Sequence, residues 1–484
     1  MADTRKIAQH LQRLAPLSQQ LDLPADKRQQ LWQAVYDYAE RFLSQQDTLP
    51  AFVDGQYDKA QFKDQVIPEQ GQPIAPLLAL LQERVDTPGL NPASGGHLGY
   101  IPGGGLFPSA LGDYLAAIFN RYAGLYFGSP GAVALENHLV DWMIELFGWP
   151  KTAAGNLASG GSIANLTALV AARDHRKITP ENVRQQCIYL TQQVHHCVHK
   201  ALRIAGLSFA QLRTIPMDDQ FRMNVEALSQ QIRSDQADGL TPMLLIASAG
   251  TTDTGAVDPL GELHQVAKEN NIWFHVDAAY GGFFQLTEEG REKLKGIEAA
   301  DSIVVDPHKG LFLPYGTGAV LVREASHLYA SHYYQASYLQ DAEMEGAPLS
   351  PADLSPELTK HFRGLRMWLP LQLYGLAPIR AALEEKLWLA RYFATAIRQL
   401  PGFEIAIEPE LSVVLFRYVP RSGTPNTANQ RLLSAIHSDG RVFVSSTTVE
   451  QTFWLHLAVL SFRTHQPTID TLLEVCRSVT ADWD

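Results

Sequence analysis

Two short pieces constrain what this chain can fold into more than any others. They are WFHVDAAYGG, residues 273–282, and SIVVDPHKGLFLPYGTG, residues 302–318. Each opens on an apolar, β-branched run, the mark of a buried strand. Each then breaks at a turn that carries charge: Asp277 in the first, and Asp306, His308 and Lys309 in the second. Open α/β sheets bind ligands beyond the carboxyl ends of their strands. An aspartate and a lysine leaving neighbouring strands there can face one bound molecule. Read singly, Asp277 is a strand-end carboxylate capping a turn and Lys309 is a solvated surface lysine. Read together, on two apolar strand exits, they form a pair.

Composition limits the partners. The chain has 484 residues, 46% hydrophobic and 19% charged, enough for a large core and more than one domain. Its net charge of −12 argues against nucleic acid or an anionic membrane as main partner, although an anionic cofactor needs only a local site. Cys187, Cys197 and Cys476 make no disulfide framework, which suits a reducing compartment. The opening MADTRKIAQHLQRLAPL is too polar for the apolar core of a signal peptide, and no apolar run approaches the roughly 18 residues of a membrane span. A soluble, cytoplasmic protein is expected.

Pyridoxal phosphate is a molecule that needs both members of the pair. Its aldehyde requires a lysine for a Schiff base, and its ring nitrogen requires a carboxylate to stay protonated. The two pieces resemble the group II pyridoxal-phosphate amino-acid decarboxylases, the family of aromatic-amino-acid, glutamate and histidine decarboxylases. The resemblance implies Lys309 as the Schiff-base lysine and Asp277 as the ring-nitrogen partner. It also implies Ala279, Asp306 and His308, in the same two turns, as cofactor-side residues.

Other motifs follow in the family's order. Residues 155–170, GNLASGGSIANLTALV, place a small-residue turn before an apolar-periodic helix, a cradle for an anion. It is neither a Walker pattern nor a GxGxxG fingerprint, so a nucleotide reading has no support. It resembles the family's (T/S)xGGSxANLxAL, which implies Gly161 and Ser162 as phosphate contacts; an ordinary helix cap is the alternative. In VHHCVHKA, His195 and His199 would share a helix face and could bind zinc, but no CxxC or second ligand cluster accompanies them. The family reads AHSSVEKA here, which implies His195 stacked on the cofactor ring, no metal, and His196 and His199 as bystanders. TPMLLIASAGTTDTGAVD resembles the family's GTTxxGxxD, with Thr252 near the ring and Asp258 organising the next turn.

Upstream, HLGYIPG looks like the family's HPxFxAYFPT, which makes Tyr100 a substrate-side residue; an aromatic plug on a glycine-rich loop is the alternative. GSPGAVALENHLVDWMIELFGWP reads as a core helix entered at Ser129-Pro130. Downstream, residues 341–356 read as a mobile loop. The family has a closing loop here with a proton-donating tyrosine at its base, and counting back from FRGLRMWL assigns it to Tyr338, with Tyr333 and Tyr334 as rivals. One departure stands out: Gly310 follows the lysine where the family often has Trp.

The expected fold is α/β of the fold-type I class. It has an N-terminal helical segment (1–85), a large doubly wound, mostly parallel domain (86–377) and a small C-terminal α/β domain (378–484). In the family the N-terminal segment packs across a dimer partner; a helix covering its own core fits the pattern equally. The resemblance implies a homodimeric L-amino-acid decarboxylase. Tyr100 and the loop at Leu106-Phe107 favour an aromatic substrate, with acidic or diamino acids as alternatives. An oxygen-using aldehyde synthase is the runner-up. The family's synthases commonly carry Phe for the loop tyrosine or Asn for the stacking histidine, whereas this chain has Tyr338 and His195. An aminotransferase should lack the tyrosine loop, and a binding-only homologue should have lost Lys309 or Asp277.

Overall fold

A computed structural model of the chain describes residues 4–54, 62, 63, 65–334 and 348–483. It begins with two helices, Thr4–Ser18 and Ala25–Ser44, neither of which buries a residue. A short antiparallel pair, β1 (Phe52–Val53) and β2 (Gly89–Leu90), follows.

The central sheet has seven strands: β3 (Ala154–Ala158), β4 (Gln186–Leu190), β5 (Gln211–Thr214), β6 (Thr241–Ser248), β7 (Trp273–Asp277), β8 (Ser302–Val305) and β9 (Gly318–Val322). Their spatial order is β3-β9-β8-β7-β6-β4-β5. β9 runs antiparallel to both its neighbours, and the other pairings are parallel. Every residue of β7 and β8 is buried, because helices cover both faces. Successive side chains of a strand point to opposite faces. In β6, Leu245 and Ala247 accordingly join one core while Leu244 and Ile246 join the other. Register brings the strand ends level: Ser248 pairs with Asp277, and Asp277 with Val304. Both strand exits singled out in the sequence therefore open on one edge. The core helix is Pro130–Leu146, preceded by Ser129.

The C-terminal sheet is antiparallel, in the order β10 (Phe403–Ile405), β11 (Val413–Tyr418), β13 (Thr452–Ala458), β12 (Ser445–Val449). The helices Pro425–Asp439 and Gln466–Thr480 pack on it through Leu432, Ile436, Ile469 and Leu472. Leu98, from the glycine-rich segment, is in this core: its amide donates to Phe443 O, and its carbonyl accepts from Ala458 N. The sequence-based junction at 377/378 falls in the first turn of the helix Leu376–Ile397. That helix gives Ile379, Leu383 and Leu387 to the large core and Leu389, Phe393 and Ile397 to the small one. Among the described residues, no helix is long and apolar enough to cross a membrane.

Candidate active site

A cavity of about 330 Å³ opens over the carboxyl ends of the central strands. Each turn contributes to its wall: Gly161 and Ser162 after β3, His195 after β4, Thr252 after β6, Asp277 and Ala279 at β7, and Asp306, His308 and Lys309 after β8. The structure thus brings together the cofactor-side residues named from the sequence.

Gly161 and Ser162 begin the helix Gly161–His175 at the cavity wall. The first amides of a helix have no partner within it and lie at its positive end, so an anion is favoured there. The first turn is tight: a methyl added at Gly161 would sit 2.9 Å from Asp306 Oδ2.

Asp277 is held from two sides. Its Oδ1 accepts from the amide of Ala279 at 3.1 Å, and its Oδ2 from Asn165 Nδ2 at 3.1 Å. Asn165 also donates to Gly161 O, and its Oδ1 meets His275 Nε2 at 2.8 Å. His275 Nδ1 is 2.8 Å from Ser302 Oγ, which accepts from Trp273 Nε1 at 2.9 Å. One arrangement of hydrogens satisfies this chain: Ser302 donates to Nδ1, and the Nε2–H of His275 donates to Asn165. It requires a neutral imidazole, and burial pushes the pKa of His275 down to about 4 despite the nearby Asp277 carboxylate. The sequence reading missed Asn165, His275 and Ser302. The Asn in GSIANL and the His in WFHVD were the available signals, each a polar residue inside an apolar run.

Lys309 lies on the short turn Pro307–Gly310, its Nζ 3.2 Å from Asp306 Oδ2. His308 donates from Nδ1 to Thr317 O at 2.6 Å, and burial lowers its pKa, so the ring is neutral. Gly310 is buried with no room for a side chain: a methyl there would come 2.7 Å from Cβ of Phe283. The departure noted after the lysine thus points into the protein core.

His195 precedes the helix His196–Ile204, and its Nδ1 accepts from Cys197 N at 3.3 Å. Burial lowers its pKa, with Asp277 pulling the other way. His196 and His199 are exposed, and burial pushes the Cys197 thiol up to about 12. Among the described residues no group of three His, Cys, Asp or Glu is placed to hold a metal ion. The small sheet supports Thr252, whose carbonyl accepts from His456 Nε2 at 2.9 Å. His456 Nδ1 in turn meets Ser445 Oγ, which accepts from the amide of Tyr100 at 3.1 Å. Asp258 accepts from Met223 N and Ser248 N, both at 2.7 Å, and so ties the β6 turn together.

Tyr100 is not among the residues lining this cavity. Its φ of 57° leaves the ring 57% exposed, 5.9 Å from that of Phe443. Tyr338 lies outside the described residues. Tyr333 and Tyr334, just past the helix Ala325–His332, are both exposed.

A lysine, a fixed carboxylate and an anion cradle on three sides of one cavity fit pyridoxal phosphate by aldehyde, ring nitrogen and phosphate in turn. The pyridoxal-dependent decarboxylase conserved domain matches residues 64–419.

The chain belongs to the pyridoxal-dependent decarboxylase family.

It is 30% identical over 471 residues to an aromatic-L-amino-acid decarboxylase of Bacillus atrophaeus, covering 96% of this chain and 97% of that one. It is 31% identical over 434 residues to a phenylacetaldehyde synthase of Petunia hybrida, covering 85% of each. The crystal structure of Oryza sativa TDC with PLP and tryptamine superposes with a TM-score of 0.89 at 25% identity, covering 95% of this chain and 99% of that one. The protein is therefore a pyridoxal-phosphate-dependent amino-acid decarboxylase of the α/β, fold-type I architecture.

Proposed function

We propose that the protein converts an aromatic L-amino acid to its amine and CO2 as a cytoplasmic homodimer. The observation that carries the reading is the placement of Lys309 in one cavity with an Asp277 anchored by Asn165 and the Ala279 amide. The relatives named as aromatic-amino-acid decarboxylases support the substrate class. A homodimer is supported by the helix Thr4–Ser18, where Ile7, Leu11, Leu14 and Leu17 form an exposed stripe on an element that buries nothing.

When bound, pyridoxal phosphate supplies a sink for the electron pair left on Cα as the carboxylate departs. Lys309 Nζ would hold the cofactor covalently and exchange it for the substrate's amino group. Asp277 would keep a proton on the ring nitrogen, as a carboxylate beside a cation favours the charged form. The buried relay behind Asp277 fixes the direction of its oxygens. Gly161 and Ser162 would take the phosphate, and His195 would pack on the ring and meet the substrate carboxylate. Tyr338 would give the proton to Cα, and that step decides between amine and aldehyde.

A CO2-release screen over the common L-amino acids, with ammonia and hydrogen peroxide followed alongside, tests the proposal. Tryptophan, tyrosine or phenylalanine should turn over best, with amine as product. Preference for an acidic amino acid would overturn the substrate class. Stoichiometric ammonia and peroxide would instead establish the oxidative aldehyde route, the second reading favoured by similarity to the phenylacetaldehyde synthase.

A further inference from the structure

The C-terminal sheet reaches the cofactor cavity through a buried imidazole. His456, on β13, is 3% exposed within the apolar run WLHLAVL. Its strand neighbours Leu455 and Leu457 point into the small core, so His456 points the other way, towards the large domain. Ser445 on β12 is its cross-strand pair. The imidazole meets the turn that follows β6. Inside that turn Thr251 Oγ1 lies 2.7 Å from Thr254 Oγ1, and Thr251 N donates to Ala256 O at 2.9 Å. The tip is held from the small sheet instead. His456 Nε2 donates to Thr252 O at 2.9 Å, and Thr447 Oγ1 donates to Asp253 Oδ1 at 3.0 Å. Thr252 lines the cofactor cavity.

The other ring nitrogen leads away from the cavity. His456 Nδ1 is 2.9 Å from Ser445 Oγ, which accepts from Tyr100 N at 3.1 Å. A neutral ring satisfies every group: Nε2–H serves Thr252 O, and Nδ1 accepts the Ser445 hydroxyl, whose oxygen accepts the Tyr100 amide. Burial lowers the pKa of His456, which keeps the ring neutral. The backbone at the far end is strained. Tyr100 has a φ of 57°, a left-handed conformation that bulky side chains seldom adopt, and such strain gathers at functional sites. A methyl on Gly99 would come 2.5 Å from the Phe443 ring, and one on Gly103 would overlap the His308 carbonyl and lie 3.2 Å from that of Lys309. Residues 100–103 thus run from the small sheet to the turn that carries Lys309. Packing alone would be served by leucine at 456. A buried imidazole is tolerated where both nitrogens are partnered, and here one partner is cavity wall and the other leads to Tyr100.

We propose that His456 is a positioning residue for cofactor binding, tying the Thr252 turn to the Tyr100 backbone so that an occupied cavity and an ordered 100–103 segment favour each other. This role rests on the pyridoxal phosphate assignment above. The coupling is reciprocal: the factor by which the cofactor steadies the segment is the factor by which the steadied segment tightens the cofactor.

The test uses the full-length protein. Dissociation constants for pyridoxal phosphate are read from visible absorbance, and hydrogen exchange at the Tyr100 amide by mass spectrometry. His456→Leu removes both bonds and should weaken pyridoxal phosphate by about tenfold or more. His456→Gln offers an amide donor to Thr252 O and a carbonyl to the Ser445 hydroxyl, and should bring the affinity back to within about threefold of the parent. A loss of packing alone would be repaired by leucine rather than glutamine. In the parent, pyridoxal phosphate should slow Tyr100 exchange by about fivefold or more. Ser445→Ala cuts the Tyr100 end, so its exchange should be fast with or without cofactor, and its affinity should fall by that same factor. Parental affinity in His456→Leu, a glutamine variant as weak as the leucine one, or parental Tyr100 exchange indifferent to pyridoxal phosphate each overturns the proposal. The exchange arm needs no substitution and stands even where His456→Leu folds poorly. Failure of the parent protein to bind pyridoxal phosphate at all would overturn the cofactor assignment beneath it.

Discussion

Asn165 shows how much of a catalytic carboxylate's behaviour belongs to its neighbours. It is wholly buried and joins Asp277, Gly161 O and His275. Removing a residue that orients a functional group typically costs roughly 10- to 100-fold in activity or ligand affinity. Asn165→Ala should therefore lower kcat by about that factor, while borohydride still fixes the cofactor on Lys309. Unchanged kcat would detach the relay from catalysis. Gly161→Ala is the complementary probe. Its methyl, 2.9 Å from Asp306 Oδ2, should weaken pyridoxal phosphate by about tenfold or more and leave pyridoxal nearly unaffected, both measured as dissociation constants. Asp277 and Lys309 were legible because each interrupts an apolar strand at its exit. His275 and Asn165 were not, because their meeting depends on β7 pairing with β8, which sets His275 opposite Ser302, and on a helix lying across both. No local pattern in the sequence encodes that registration.

At the scale of elements, the helix Thr4–Ser18 carries an exposed apolar stripe that the proposed homodimer would cover. Ile7, Leu11, Leu14 and Leu17 are each between 45% and 66% exposed, on a helix without a buried residue. Burying the exposed half of four such side chains is worth roughly 1 kcal/mol apiece, about half the value of a full burial. Leu11→Glu with Leu14→Glu should shift the proposed dimer to monomer in sedimentation, and a dimer that persists would place the interface elsewhere. The helical spacing of this segment was readable in the sequence, but what covers it was not. The glycine-rich segment after Pro92 illustrates a different limit. Its motif suggested a loop that can bring backbone close to a ligand. Leu98 docks it on the small sheet, and Gly103 lies so close to the His308 carbonyl that a methyl there would overlap it. The backbone turns at Tyr100 between those two anchors, and its ring is left facing outward.

For the whole molecule, buried neutral histidines set the acid limit. Burial pushes His97 and His275 down to about 4, from an ordinary value of 6.5. Between those values the unfolded chain binds protons that the folded one refuses, so stability rises with pH. Their contribution is complete above pH 6.5, shrinks as pH falls towards 4, and amounts to on the order of 3 kcal/mol for each group. The melting temperature should therefore drop through this window. Both ring nitrogens of His97 lack partners among the described residues, so His97→Leu should cost little at pH 7 and make the drop shallower. An identical pH profile would remove His97 from the account.

The helix Leu376–Ile397 has a consequence for anyone recombining this chain with its relatives. Its first half is seated among residues of the cofactor-binding sheet and its second half among those of the C-terminal sheet, like a spar let into two hulls. A crossover anywhere along it hands one sheet a foreign set of side chains. Chimaeras joined in the turn after Leu400 would keep the spar whole but still exchange the surface it is moored to. Hybrids should be viable chiefly when the spar and the C-terminal sheet travel together and the large-core positions Ile379, Leu383 and Leu387 are matched to the recipient.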